Sequence, residues 1–188
     1  MNAAIRIATP SDAADCLAIY RPFVEGTAVS FESELPSLQA FQGRIAEVLQ
    51  RAPWLVCEAE GRVGGYAYGT RHRPRQAYQW TVETTVYLAE SMRGRGLGRA
   101  LYANLLGCLR LQGFESAVAA IALPNPASVL LHERIGFRPV GVFHSVGFKL
   151  GRWHDVGWWE LLLQAPPSPA RDPLPLAQVL PRWPWVQP

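Results

Sequence analysis

Residues 90–102 read ESMRGRGLGRALY, with Gly94, Gly96 and Gly98 alternating among Arg93, Arg95 and Arg99 between a strand-like run and a helix-like run. No other stretch restricts the fold as much. The strand has to stop, the backbone has to turn over glycine, and a helix has to begin with its first N–H groups unpaired. Those N–H groups and the helix dipole suit an anion, and the bare backbone lets a phosphate come close. Two phosphate-binding patterns fail on these residues. A P-loop needs Gly-x-x-x-x-Gly-Lys-Ser/Thr, and the segment has no lysine. A dinucleotide fingerprint needs Gly-x-Gly-x-x-Gly, but here the third glycine falls one place early, at Gly98, and Arg99 follows it.

Periodicity on either side predicts the element order. Ile5-Arg6-Ile7 alternates as a short strand, and Thr9 with Asp12 forms a capping-box start. Ala14, Leu17 and Ala18 then supply the apolar face of a first helix, which Pro22 bends or ends. A second helix is expected over Ser37–Arg51, where Leu38, Phe41, Ile45, Val48 and Leu49 recur at helical spacing. Trp54–Ala59 and Val63–Thr70 read as a hairpin about Glu60-Gly61-Arg62. A loop with Arg71, His72, Arg73, Pro74 and Arg75 leads into a strand over Ala77–Leu88. After the glycine loop a helix is expected over Gly98–Gln112, ended by Gly113, and then an apolar strand over Val118–Leu123. Asn125–Ile135 reads as a helix closed by Gly136, and β-rich segments Phe137–Phe143 and Val156–Leu163 complete the series. The order β-α-α-β-β-β-α-β-α-β-β predicts an α/β (α+β) fold, a mixed sheet covered by helices.

The chain has 188 residues, enough for one domain with a sizeable core and short for two. With 49% hydrophobic and 18% charged residues it reads as globular. A net charge of +3 without any Lys/Arg run gives no footprint for nucleic acid or a charged membrane surface, and neither partner is expected. Cys16, Cys57 and Cys108 lack metal or redox spacing and read as small core residues. There is no leader-like start and no membrane-length apolar run, so a soluble cytoplasmic protein is the expectation. Residues 1–164 form the expected domain. Of the remaining 24 residues eight are proline, which predicts an extended tail, though Trp183 and Trp185 suggest that its end packs.

Two further patterns join the glycine loop. Arg93, Gly96 and Gly98 fill Arg/Gln-x-x-Gly-x-Gly/Ala, and Asn125, Ser128 and His132 share one helix face ahead of Gly136-Phe137. Together with the element order, this resembles the GNAT superfamily of acetyl-CoA-dependent N-acetyltransferases over roughly residues 5–163. The resemblance implies a mostly antiparallel sheet with helices on both faces, in which a splayed parallel strand pair holds coenzyme A. It further implies that the backbone of Val86, Tyr87 and Leu88 binds the pantetheine arm. Arg93, Gly94, Arg95, Gly96, Leu97 and Gly98 would wrap the pyrophosphate, and Asn125, Ser128 and Arg134 would meet the cofactor from the other side. His132 stands where many members carry a tyrosine that protonates the departing thiolate. An acid and a packed, hydrogen-bonded histidine are both open readings of it.

An acceptor amine must lose a proton before it attacks, and Glu83 is the only acid between Gly61 and Leu88. It sits inside an otherwise apolar strand that leads to the cofactor loop, which makes it the candidate base. Arg73 and Arg75 are two apart in an extended segment, so they point to one side and suit a bidentate acidic group; a solvated loop is the bland alternative. His72 reads as incidental. The strings RQAYQWTVETTVYL, GFKLGRWHDVGWW and TAVSFE are similar to phosphinothricin N-acetyltransferases and their relatives acting on methionine sulfoximine or sulfone. By that resemblance Arg73 and Arg75 grip the acidic end of the substrate, Glu83, Thr84 and Thr85 border its amine, Phe31 and Tyr78 form apolar walls, and Tyr102 belongs to the same site. Homodimers are implied as well. The aromatic run Phe148–Trp159 then lines either the partner contact or the acceptor pocket.

The expected activity is direct acetyl transfer from acetyl-CoA to the α-amine of a small acidic amino acid, with no metal and no covalent enzyme intermediate. His154-Asp155 is not expected to act as a catalytic pair, because neighbours on a strand face opposite sides. A polyamine, an aminoglycoside or a protein N-terminus as acceptor remains open, as does a non-catalytic acyl-CoA sensor.

Overall fold

In the computed structural model, which describes residues 3–59 and 61–188, the described residues form one seven-stranded open sheet. Its strands are β1 (Ala3–Ile7), β2 (Trp54–Ala59), β3 (Arg62–Arg71), β4 (Thr81–Leu88), β5 (Ser116–Leu123), β6 (Arg138–Lys149) and β7 (Arg152–Leu162), in the order β1-β2-β3-β4-β5-β7-β6. The β4–β5 pair is parallel and the other pairs are antiparallel. The helices are α1 (Ala13–Gly26), α2 (Leu38–Leu49), α3 (Leu97–Gln112), α4 (Pro126–Ile135) and the short α5 (Leu176–Val179). The expected mixed sheet and order of the main elements are both present. Of the expected turn at 60–62, Glu60 lies outside the described residues.

Local chemistry sets the ends. Asp12 accepts the Thr9 N–H at 2.7 Å and pairs with Arg6 at 2.7 Å, which holds the turn ahead of α1 and keeps the Asp12 carboxyl below the usual carboxylate range. Pro22 does not end α1, which runs on to Gly26. Pro22 and Ala18, the residue whose carbonyl loses its helical partner, both face solvent, where water replaces the bond. The buried face of α1 is carried by Cys16, Leu17, Tyr20 and Val24, not by Ala14 and Ala18, which are exposed. Ser37 caps α2 through the Ala40 N–H, and its inner face is Phe41 and Ile45, while Leu38 points out.

One core lies between the sheet and α3, where Leu101, Leu105 and Leu109 pack on Leu55, Ala67, Val82 and Ala117. The other lies under α1 and α2, where Tyr20, Phe41 and Ile45 meet Trp54, Val56 and Tyr66. β4 begins at Thr81 rather than Ala77, because Gln76–Tyr78 coil into a tight 3-10 turn. β6 and β7 are much longer than the sequence suggested. They meet at Leu150-Gly151, whose φ angles of +51° and +76° are those of a left-handed two-residue hairpin turn.

The last 24 residues are seated, not trailing. Leu176 and Val179 are buried against Cys108 of α3. Trp183 lies across Gly107, where a Cβ would collide with its ring, and donates its indole N–H to Asn104 Oδ1 at 3.0 Å. Asn104 also donates to the Val186 carbonyl, and Gln112 exchanges bonds with Leu174. Trp185 packs against the α3 core. Among the described residues no helix is long and apolar enough to cross a membrane.

Candidate active site

The parallel β4–β5 ladder has three rungs, from Thr81–Ser116 to Glu83–Val118. Beyond Glu83, β4 stays with β3 as far as Leu88, and β5 stays with β7 as far as Leu123. The two strands therefore separate, and a cleft of about 90 Å³ opens between Thr84–Tyr87 and Ala120–Ala122, closed at one side by Asn125, Ser128 and His132. The Ala89 N–H bonds the Gly64 carbonyl on β3 at 3.0 Å. Alternation along an antiparallel ladder then turns the N–H groups of Leu88 and Val86 away from β3 and toward the cleft.

The glycine loop stands at the cleft's open end. Gly94 and Gly96 take φ angles of +73° and +79°, which an L side chain adopts only with strain. A Cβ at either would meet nothing within 4 Å, so the space above this backbone is free. Gly96 caps α3, and the first helical bond is Ala100 N–H to Gly96 O at 3.1 Å. The N–H groups of Leu97, Gly98 and Arg99 have no partner within the helix. Gly98 serves a different need: a Cβ there would press on Leu131 at 3.2 Å, so its smallness brings α3 close to α4. Arg93 lies over the Phe23 ring at 5.2 Å, and Arg95 and Arg99 flank the turn. A turn kept bare at Gly94 and Gly96, with unpaired helix N–H groups and arginines about it, fits a pyrophosphate.

On α4, the Asn125 side chain caps the helix through the Ser128 N–H at 3.2 Å. His132 Nδ1 donates to the Ser128 carbonyl at 2.7 Å, so its Nε2 carries the lone pair and accepts the Tyr102 hydroxyl at 2.7 Å. Burial pushes the His132 pKa below the usual histidine value, and the imidazole is neutral near pH 7. Tyr102 also approaches Thr84 Oγ1 at 3.4 Å and is wholly buried. Thr84, expected beside the acceptor amine, and Tyr102, expected in the substrate site, both face the α3/α4 side of the sheet. Successive residues of β4 alternate between faces, which separates Thr84 from Glu83 and Thr85. Arg134 is exposed on α4.

Glu83, Thr85 and Tyr87 look the other way, where Tyr87 packs on Tyr20 and Phe23. Glu83 stands on the last rung before the strands part. Its Oε1 lies 2.8 Å from His72 Nδ1, so the histidine that the sequence reading set aside is the candidate base's direct partner. The His72 ring sits edge-on between Tyr78 and Trp158, at 5.9 and 5.8 Å, and Arg73 lies 6.0 Å from the Trp158 ring. The Trp158 indole N–H is buried and has no hydrogen-bond partner among the described residues. Glu83, His72, Arg73, Tyr78 and Trp158 thus form one cluster. Arg75 is exposed at the start of the 76–78 turn.

Phe31 reaches this side from the α1–α2 loop. It covers Gly147, where a Cβ would collide with its ring, and lies 6.1 Å from the His154 ring. Lys149 pins the loop: its Nζ donates to the carbonyls of Val24 and Ser30, both at 2.6 Å. The first of these is a helix-end carbonyl that a cation suits. His154 in turn donates to the Lys149 carbonyl, while Asp155 turns to His144, so the two neighbours take separate partners as expected. Val29, on the same loop, lines the cleft. Neither Lys149 nor Trp158 was singled out from sequence, since their contacts cross between distant segments.

Comparison with known proteins places this arrangement. Residues 5–158 match the family described as "Acetyltransferase (GNAT) domain". The chain is 42% identical over 177 residues to a phosphinothricin N-acetyltransferase of Streptomyces viridochromogenes, covering 93% of this chain and 95% of that protein. It is 39% identical over 167 residues to an L-methionine sulfoximine/L-methionine sulfone acetyltransferase of Pseudomonas aeruginosa, covering 87% and 96%. The crystal structure of a phosphinothricin acetyltransferase from Sinorhizobium meliloti in complex with acetyl-CoA superposes with a TM-score of 0.83 at 34% identity, over 86% of this chain and 89% of that one. A splayed strand pair, a glycine turn at its mouth and a family match across most of the chain agree, and the protein belongs to the GNAT acetyltransferases.

Proposed function

We propose that the chain moves acetyl from acetyl-CoA to the α-amine of a small acidic amino acid or analogue, such as L-phosphinothricin, methionine sulfoximine or methionine sulfone. The observation that carries this reading is Glu83 on the last rung before the cleft, with Arg73 and the unpartnered Trp158 N–H close by. A carboxylate there suits an amine, and a cation with a spare donor suits an acidic group on the same small molecule. Relatives named for such substrates support it.

Bound acetyl-CoA supplies a thioester carbonyl as electrophile. In this reading Arg93 to Gly98 hold its pyrophosphate, with Asn125, Ser128 and Arg134 on the α4 side. The N–H groups of Val86 and Leu88 are turned to receive an acceptor group in the cleft. Glu83 takes the proton from the acceptor's ammonium, freeing the lone pair to attack. Arg73 and Arg75 hold the acid group, and Phe31 and Tyr78 bound the pocket. His132 lines the cleft, and its Nδ1–H to the Ser128 carbonyl and its Nε2 to the Tyr102 hydroxyl are both engaged, so it serves in this reading as a packed, neutral wall beside the thioester and not as an imidazolium acid.

We place the protein in the cytoplasm, in keeping with three free, buried cysteines. Val140, Phe143, Val146, Phe148 and Trp153 are exposed about the edge strand β6, and a second copy covering them is the proposed dimer. Sedimentation should give twice the 20.8 kDa chain mass; a single-chain mass removes this part of the reading.

The activity is tested by thiol release from acetyl-CoA with L-phosphinothricin, L-methionine sulfoximine, L-methionine sulfone, spermidine, an aminoglycoside and a short peptide. Turnover confined to the first three is expected. Turnover only on the cationic or peptide amines overturns the acceptor assignment.

A further inference from the structure

The pairing of His72 with Glu83 has a consequence for the chemistry. Glu83 Oε1 is 2.8 Å from His72 Nδ1, and both side chains are largely shielded, at 29% exposure for Glu83 and 18% for His72. A carboxylate only accepts, so with Glu83 ionised the proton of this bond belongs to Nδ1. His72 comes from the loop just past β3, and the contact brings its ring back over Glu83 from β4. Tyr78 from the 76–78 turn and Trp158 from β7 hold that ring edge-on. The titratable and charged groups about His72 are Glu83, Tyr78 and the neighbouring Arg73, whose guanidinium lies over Trp158.

We propose that His72 is a positioning residue for the base. Neutral His72 donates Nδ1–H to Oε1, fixes the carboxylate rotamer and leaves Oε2 to take the proton of the acceptor's ammonium. The proton passes from the amine nitrogen to Oε2 and leaves to water after transfer; the Nδ1 proton stays in place throughout. This inference rests on the reading of Glu83 as the base.

The test uses the full chain with whichever acceptor it turns over. His72→Phe is expected to lower kcat about tenfold or more, with acetyl-CoA affinity by calorimetry unchanged. His72→Asn, whose amide N–H replaces the Nδ1 donor, should recover most of kcat. In the ligand-free protein, ¹⁵N NMR of the imidazole should show the proton on Nδ1, independently of activity. Full kcat in His72→Phe, a His72→Asn variant no more active than His72→Phe, or a resting Nε2–H tautomer overturns the proposal. The two levels fail differently. If Glu83→Gln is inactive while His72→Phe is not impaired, only the role of His72 falls. If Glu83→Gln keeps full kcat, the base assignment falls and His72 has nothing to position.

Discussion

Glu83→Gln lowers kcat by about 10²–10⁴-fold, the range a positioned general base contributes, and leaves acetyl-CoA binding within about twofold. The reason is where the residue stands. It sits on the final rung of the β4–β5 ladder, its side chain on the α1/α2 face, while the cleft floor and the glycine turn are formed by other groups. Glutamine keeps the shape of the side chain and can still meet His72, so the fold and the cofactor surface stay intact while the proton acceptor is lost. Raising the pH should recover part of the rate, because a growing fraction of the acceptor arrives as free amine. Steady-state kinetics with calorimetric titration of acetyl-CoA separate the two effects. Equal loss of turnover and acetyl-CoA affinity would mean that Glu83 acts on the cleft itself.

Removal of residues 165–188 lowers the melting temperature by about 10 °C. The tail buries Leu176 and Val179 against Cys108 and lays Trp183 over Gly107. It is also the partner of two polar side chains on α3, Asn104 and Gln112, which are fully buried in the intact chain. Burying one large apolar side chain contributes about 1.5–3 kcal/mol. After the entropy of ordering the tail is subtracted, about 3 kcal/mol in total is expected, and for a chain of this size each kcal/mol moves the melting point by about 2–4 °C. Circular dichroism melts of the full and shortened chains measure it. Melting points within about 2 °C of each other would show that the docked tail adds no stability.

The order of the strands and main helices was legible because α2, α3 and α4 carry their own punctuation: Ser37 and Asn125 at the starts of α2 and α4, Gly113 and Gly136 at the ends of α3 and α4. The glycine turn was legible for the same reason, since its chemistry is local. What escaped depends on partners far along the chain. His72 gains its meaning only when the β3–β4 hairpin brings it to Glu83, eleven positions away. Lys149 is tied to backbone carbonyls 119 and 125 residues off, and a carbonyl leaves no mark in a sequence. Glu83, Thr84 and Thr85 were read as one border, although the two-residue period of a strand sends Thr84 to the other face. β6 was cut short because Gly, His and Ser interrupt its apolar run, and only pairing with β7 extends it. The seat of the tail did have a signal: Asn104 and Gln112 are polar positions on the otherwise apolar face of α3.

The far end of that tail does one thing more. Gln187 Oε1 accepts the N–H of Ile5 at 2.8 Å, on the side of β1 that no strand covers. An uncovered strand edge is a template on which other chains add and aggregate. The docked tail thus occupies a backbone donor on the uncovered side of β1, and a chain shortened before residue 165 would leave that donor free to pair with a strand of another molecule.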